Sequence, residues 1–474
     1  MRAVRSFTAG SRNAPAPSER PALMTYAERY AAGKALRERC PRNAHARWKD
    51  SAQRPDPVRL VLDAEKGRMP ALLPLRHGRM VHSAFTFYRG AALTMASDLV
   101  STPSTGMRVQ CCGDAHMCNF GAFATPERRI LFTINDLDET LPAPWEWDVK
   151  RLAASFVVGC RENGLTDSDA KDAALTAVRN YREALAEFSQ MKTLELWHHA
   201  FWLKDLLDTI RDPVWRKRAE KRIQKERMKS AAEEMFPKLV ENKGKMPVIK
   251  DQLPLIFHAK GHTPGQVHQV VLDAMKGYRA TLPPAVQALL DRYELRDAAI
   301  KVVGVGSVGT FCFALLYMAG DGDPLFLQVK EAGPSVLEPY AGASVFSNHG
   351  ERIVNGYRMM QPASDMFLGW TRSKRGRDFF IRQLRDVKIS AQVEIFGATQ
   401  MALYGHWCGR ALALSHARAG SAAMLSGYMG KSDAFDEAIA AFSMAYADQN
   451  EKDHAALARA VRGGKVEAEF ERAA

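Results

Sequence analysis

Asp114 is followed five residues later by Asn119, and an apolar run then ends in Asp136 and Asp138. These are the oxygen donors that transfer of a phosphoryl group calls for. One carboxylate faces an attacking hydroxyl, while an amide oxygen and a second carboxylate hold magnesium. Asp114, Asp136, Asp138 and Glu139 would repel one another, and raise one another's pKa, unless a cation lies between them. Magnesium removes that conflict and keeps water and substrate phosphates in its own shell. The plainer alternative is an acidic loop whose carboxylates cap turns. His116 suits a ligating or orienting role, or a hydrogen-bonded structural one, and Cys112 and Cys118 read as packing residues.

A second cluster lies far downstream. Gly304-Val305-Gly306-Ser307-Val308-Gly309 has glycine spacing that lets backbone N–H groups approach phosphates. In a dinucleotide-binding fold the third glycine opens a helix. Here the loop runs instead into an apolar stretch that ends in Gly320-Asp321-Gly322-Asp323-Pro324, which reads as a hairpin turn. The strand after that turn ends in Lys330, a point charge suited to phosphates. Gly304, Gly306, Ser307, Gly309 and Lys330 are therefore the candidate nucleotide contacts. Taken alone, the segment also reads as an ordinary hairpin with a surface lysine.

Length and composition bound the setting. A chain of 474 residues, 46% hydrophobic and 25% charged, can build a sizeable soluble core in two or three domains. The net charge of +13 favours an anionic partner: nucleotide, nucleic acid or an acidic surface. Nucleic acid has no support beyond that charge, because the basic stretch Arg211–Lys229 carries both signs and almost no interleaved aromatics. Seven cysteines without CxxC pairs point to a reducing, cytoplasmic setting. No run approaches a membrane span. The first 22 residues lack the apolar stretch of a secretory signal and read as tail.

The positioning elements follow in order. Residues 1–34 are expected to be a disordered tail, and 35–298 a mostly helical lobe carrying the catalytic-loop-like segment 107–150. Residues 299–390 are expected to form a β-rich lobe, and 391–474 to be helices returning to the first lobe. Within these, Arg76–Leu99 reads as one buried helix, with Arg76, Arg79 and Arg89 as surface arginines or phosphate contacts. Met107–Cys112 and Arg129–Ile134 read as the strands of a hairpin. Pro142 to Trp147 reads as a stiff turn before a helix that Asp148 opens. Thr166-Asp167-Ser168-Asp169 is a capping-box start for a helix reaching about Ser189. Thr263–Arg292 reads as helix. Ile300–Val303, Phe311–Met318 and Leu325–Lys330 read as strands, followed by a helix near Ser347–Met360 and further strands near Met366–Trp370 and Phe379–Leu384.

Three stretches carry a family resemblance: Cys-Gly-Asp-Ala-His-Met-Cys-Asn-Phe-Gly, Asn-Asp-Leu-Asp-Glu-Thr-Leu-Pro-Ala-Pro-Trp-Glu-Trp-Asp-Val-Lys-Arg-Leu and Val-Gly-Val-Gly-Ser-Val-Gly-Thr. From about Ala35 onward the chain resembles the bacterial family of domain of unknown function 2252, a name that implies no activity. Gly113-Asp114-x-His116-x-x-Asn119 is also similar to the His-Gly-Asp-x-His-x-x-Asn loop of aminoglycoside and choline phosphotransferases, with Cys112 in place of the first His. Ile134-Asn135-Asp136 and Trp147-Asp148-Val149 look like motifs that follow that loop. This second resemblance implies a protein-kinase-like two-lobe fold of α+β class, with a mostly helical large lobe and an antiparallel β small lobe. It makes Asp114 the catalytic carboxylate and Asn119 and Asp136 the magnesium ligands, with Asp138 assisting. Gly405–His416 resembles the helix that precedes the catalytic loop in those enzymes.

In kinases the glycine loop comes first; here it comes long after Asp114. The resemblance therefore implies circular permutation, with the small lobe encoded second. Glu338 and Glu351 are the candidate partners of Lys330. The reading is a phosphotransferase that uses ATP and Mg2+ on an unknown acceptor. A non-catalytic nucleotide binder of the same fold and a metal-dependent phosphoesterase are the alternatives.

Overall fold

Every residue from Trp145 to Cys160 of the helix Trp145–Glu162 is buried, and the rest of the chain is layered around it. In the computed structural model residues 24–471 are described, apart from 52, 229–235, 244–245, 259–263, 303 and 385–386. The class is α+β, with helices predominating and antiparallel sheets. Helices Asp167–Phe188, Ala398–Ala419 and Ala434–Arg462 pack against or beside the central helix and share its apolar core. The first of these starts as expected: Thr166 accepts from the Asp169 amide, and the Asp169 side chain returns to the Thr166 amide.

The first strands are β1 (Arg108–Cys111), β2 (Phe120–Ala124), β3 (Ile130–Ile134) and β4 (Leu141–Pro144). The expected hairpin between 107–112 and 129–134 is not formed. Instead β1 pairs with β4, and β2 pairs with β3. Val109 and Cys111 face the core opposite the equally buried Ala143 and Leu141, so the apolar faces set that pairing. A two-residue β5 (Phe201–Trp202) extends the β2–β3 sheet. β6 (Val240–Lys243) and β7 (Met246–Ile249) pair as a separate two-stranded antiparallel sheet.

The largest sheet is built from β8 (Ile256–Phe257), β9 (Tyr293–Lys301), β10 (Cys312–Ala319), β11 (Pro324–Ala332), β12 (Gly369–Arg372) and β13 (Asp378–Gln383). Its order is β12-β13-β11-β10-β9-β8, antiparallel throughout. Alternation along β10 and β11 sends Leu315, Tyr317, Leu325 and Leu327 to one face, under Met275, Tyr278 and Leu282. Ala314, Leu316, Met318 and Phe326 go to the other, against Val240, Ile249 and Ile256. The chain then crosses over: β14 (Lys388–Ser390) joins β2 in the other sheet.

Several expectations are corrected. Residues 76–99 form three short helices, Leu73–Val81, Ala84–Gly90 and Ala92–Leu99, because Ser83 caps a new start through the Thr86 amide. The central helix begins at Trp145, not after Asp148, since Pro144 suits the position before a helix and Glu146 and Asp148 favour its first turn. The disordered tail expected over 1–34 does not hold from Thr25 on: Tyr26–Arg39 is a helix with a Thr25–Glu28 capping box, and residues 1–23 lie outside the described residues. The largest sheet begins at β8, before 299, and residues 388–390 belong to the other sheet. Prolines 283 and 284 split the 263–292 stretch into Pro264–Arg279 and Pro284–Leu290. Val303, Lys229 and Thr263 lie outside the described residues.

Candidate active site

β1 delivers the chain to Cys112 and Gly113, and the Asp148 carboxylate receives both amides, Cys112 N–H at 2.6 Å and Gly113 N–H at 3.0 Å. His416 Nε2 donates to the same carboxylate at 3.1 Å, and the Tyr181 hydroxyl donates to His416 Nδ1 at 2.8 Å. All three side chains are buried. A buried carboxylate with three charge-assisted hydrogen bonds fixes whatever it holds. Gly113 has φ +84°, and a Cβ there would come within 2.4 Å of the Glu139 carbonyl oxygen, so glycine is required.

The loop so fixed presents Asp114. Its Oδ1 accepts from Arg151 Nε at 2.7 Å and lies 2.6 Å from Arg151 Nη2, while Oδ2 faces His116 Nε2 at 3.8 Å. Arg151 stands three residues after Asp148 on the central helix, so one buried helix face holds both ends of the loop. The Asn119 amide donates to the Asp114 carbonyl at 2.7 Å, which closes the turn. Burial pushes the His116 imidazole down to about 4, and it is neutral near pH 7.

The second loop arrives through the backbone, where Asn135 N–H donates to the Asn119 carbonyl at 2.7 Å. Lys330, buried on β11, reaches Asp138 Oδ2 at 2.6 Å and Asp136 Oδ2 at 3.8 Å, under the Phe380 ring at 5.5 Å. Burial opposes the charge on Lys330, but Asp136 and Asp138 outweigh it and hold the ammonium charged. Burial and the neighbouring Asp136 push Asp138 up to about 7. Burial acts the same way on Asp136, yet Lys330, the Asp138 contact and Arg382 prevail and hold it below the ordinary carboxylate range. Asp138 Oδ1 is enclosed without a hydrogen-bond partner.

Neither Glu338 nor Glu351 meets Lys330. Glu338 accepts from the Ser335 amide, and the helix His349–Met360 sends in Arg352 instead. Arg352 donates to the carbonyls of Thr140, Asp138 and Gly333 at 2.6–2.9 Å. Tyr357, Gln361 and Arg382 take the carbonyls of Asn135 and Ile134. Glu139 is used structurally, accepting from the Val336 amide at 2.7 Å.

The glycine loop is clamped by arginines. The Gly304 carbonyl accepts from Arg79, and the Gly306 and Val308 carbonyls accept from Arg68, each at 2.6 Å. Val305 and Val308 are buried in separate clusters with the N-terminal helices. Ser307 is half-buried and its carbonyl accepts from the Thr310 hydroxyl. Just beyond the loop, Cys312 stands opposite Lys330 in the β10–β11 ladder. Lys330 thus meets the Asp136–Asp138 loop directly, that loop is bonded to the Asp114 loop through Asn135 and Asn119, and the ladder brings the glycine loop alongside. Arg151, Arg352, His416 and Tyr181 were not singled out by sequence reasoning as members of the site. The available signal was an arginine at Asp148+3, one turn along the same helix.

Asp136, Asp138 and Asn119 are hard oxygen donors of the kind magnesium takes, and the unpartnered Asp138 Oδ1 leaves a lone pair for it. Among the described residues, Cys111, Asp148 and His416 lie close enough to share an ion. The Asp148 carboxylate there is already committed to two amides and an imidazole, which makes the group an anchor.

The family model described as an uncharacterized protein conserved in bacteria (DUF2252) matches residues 68–460. The chain belongs to this family. The DUF2252 match spans both acidic loops, the glycine loop and Lys330, and leaves out the helix Tyr26–Arg39. No curated protein and no solved structure matches the chain.

Proposed function

We propose that the protein is a magnesium- and ATP-dependent phosphotransferase with a circularly permuted kinase-like fold. The observation that carries this reading is the contact of Lys330 with Asp138 and Asp136 across 192 residues of chain. A glycine loop between two strands, a lysine on the next strand and a helix after it is the order kinases use to hold nucleotide phosphates. Here those are the β9–β10 loop, Lys330 on β11 and His349–Met360. The helix Ala398–Ala419 then leads back to the Asp114 loop, with the Tyr404 hydroxyl on the carbonyls of Met117 and Phe120. That link supports the permuted order.

In this reading Asn119, Asp136 and Asp138 would hold magnesium, whose chemistry is to neutralise charge on the phosphate oxygens. Lys330 would supply a fixed positive charge from a buried position. Gly304, Gly306, Ser307 and Gly309 would cover the phosphates. Asp114 would orient the acceptor hydroxyl through Oδ2, since Arg151 holds Oδ1. That same ion pair fixes Asp114 in place, so its contribution is chiefly positional. It also favours a second reading, a kinase-like fold that binds nucleotide without turnover.

A thermal-shift titration with ATP and magnesium tests the proposal. Wild type should be stabilised and Asp136→Ala much less so; equal shifts, or none in wild type, would overturn it. Phosphoryl release from ATP by wild type and its loss in Asp114→Asn separate the catalytic from the binding-only reading.

A further inference from the structure

Residues 465–471 follow the helix Ala434–Arg462 and run across the helix Leu73–Val81. The Glu469 amide donates to the Pro74 carbonyl at 2.8 Å, and His77 Nδ1 donates to the Glu467 carbonyl at 2.6 Å. A Cβ at Gly78 would come within 1.9 Å of the Glu469 carbonyl oxygen, so only glycine admits the segment this closely. Val466 is buried in one apolar cluster with Met80, Phe87 and Val305, the last a residue of the glycine loop.

Arg79 joins the segment to the loop a second time. Its Nε and Nη2 donate to the two Glu471 carboxylate oxygens at 2.9 and 2.6 Å, and its Nη1 donates to the Gly304 carbonyl at 2.6 Å. The bidentate pair sets the plane of the guanidinium, and with it the direction of the third donor. A trans peptide carries its C=O and N–H on opposite sides. Holding the Gly304 carbonyl toward Arg79, and those of Gly306 and Val308 toward Arg68, therefore turns the amides of Val305, Ser307 and Gly309 away from the two arginines. An anion that accepts from such amides finds them set before it arrives, which lowers the cost of ordering the loop on binding.

We propose that Arg79 is a positioning residue through which residues 465–471 hold the glycine loop ready for phosphates, so that docking of this segment and occupancy of the loop strengthen each other. The nucleotide as occupant rests on the phosphotransferase reading; the hold on the loop does not.

Hydrogen exchange of the full chain, read by mass spectrometry over residues 304–310, tests it in wild type, Arg79→Met, Arg79→Lys and Glu471→Lys. Without ligand those amides should exchange about 10-fold faster in Arg79→Met, as loss of a charged hydrogen bond implies. The Glu471 side chain is partly exposed, so Glu471→Lys should give a smaller rise of roughly 2- to 5-fold. Arg79→Lys should fall between wild type and Arg79→Met. Arg161→Met breaks a comparably accessible arginine–carboxylate cluster elsewhere on the surface and should leave the loop unchanged. Far-UV circular dichroism shows that the variants fold. In a second arm, magnesium with a non-hydrolysable ATP analogue should bind Arg79→Met and Glu471→Lys more weakly than wild type. In wild type the same ligand should slow exchange over residues 465–471. Loop exchange that is unchanged in Arg79→Met and Glu471→Lys, or raised no more than in Arg161→Met, overturns the proposal. An analogue that binds wild type and both variants equally also overturns it. Faster loop exchange in both variants of a protein that binds no nucleotide keeps the hold on the loop and removes the phosphotransferase reading.

Discussion

Asp148→Ala removes the acceptor of two buried amides, Cys112 and Gly113, and of His416 Nε2. The imidazole can move its proton to Nδ1 and donate to the Tyr181 hydroxyl, but the two amides have no other acceptor in place. A buried donor left unsatisfied costs about 1–3 kcal/mol, so the pair should cost roughly 2–6 kcal/mol. For a chain of this length, unfolding as one unit, the entropy of melting is about 1 kcal/mol per degree, which makes the expected fall in midpoint roughly 2–6 °C. Asp148→Asn keeps one carbonyl oxygen for one amide and presents its NH2 to the other donors, so its midpoint should fall between wild type and Ala. Scanning calorimetry gives the midpoints, and hydrogen exchange gives the local effect: the Cys112 and Gly113 amides should exchange faster in Asp148→Ala. An unchanged midpoint with unchanged exchange at those amides would refute the anchoring role.

Gly113→Ala should destabilise by more than about 1 kcal/mol, because it combines positive φ with a clash against the Glu139 carbonyl; a denaturation midpoint equal to wild type would contradict the turn geometry. His258, hydrogen-bonded to Asp297 and Asp251, has its imidazole raised to about 9 chiefly by the Asp297 bond against the opposing effect of burial. Because its folded pKa lies above the unfolded one, its stabilising contribution is full below about pH 6.5 and is lost as pH rises through about 9. Asp297→Asn should bring the imidazole titration, followed by NMR, back toward its ordinary value; a midpoint near 6.5 in wild type would exclude the pairing.

Two local structures were legible because their residue types are dictated over a few positions. Gly113, Asp114 and Asn119 belong to one turn, and Thr166 with Asp169 to one helix start. What escaped was whatever depends on partners remote in the chain. The sequence offered alternation in 108–111 and an apolar run in 130–134, but no local feature says that the former pairs with 141–144. Arg151 and Arg352 look like ordinary surface arginines of amphipathic helices until the fold buries them against carbonyls and Asp114. The break at Ser83 was hidden by apolar residues on both sides, since one serine hydroxyl decides it. Glu338 and Glu351 were the expected partners of Lys330; the helix His349–Met360 supplies Arg352 to the site, and the lysine turns to Asp138 instead.

Isothermal titration of ATP with magnesium into wild type, Lys330→Met and Asp136→Ala tests most directly whether Lys330 and the two acidic loops form one nucleotide site. Binding in wild type, weakened at least about 10-fold by either substitution as loss of a charged contact implies, is the predicted result. Binding that is equal in all three proteins, or absent from wild type, would contradict it.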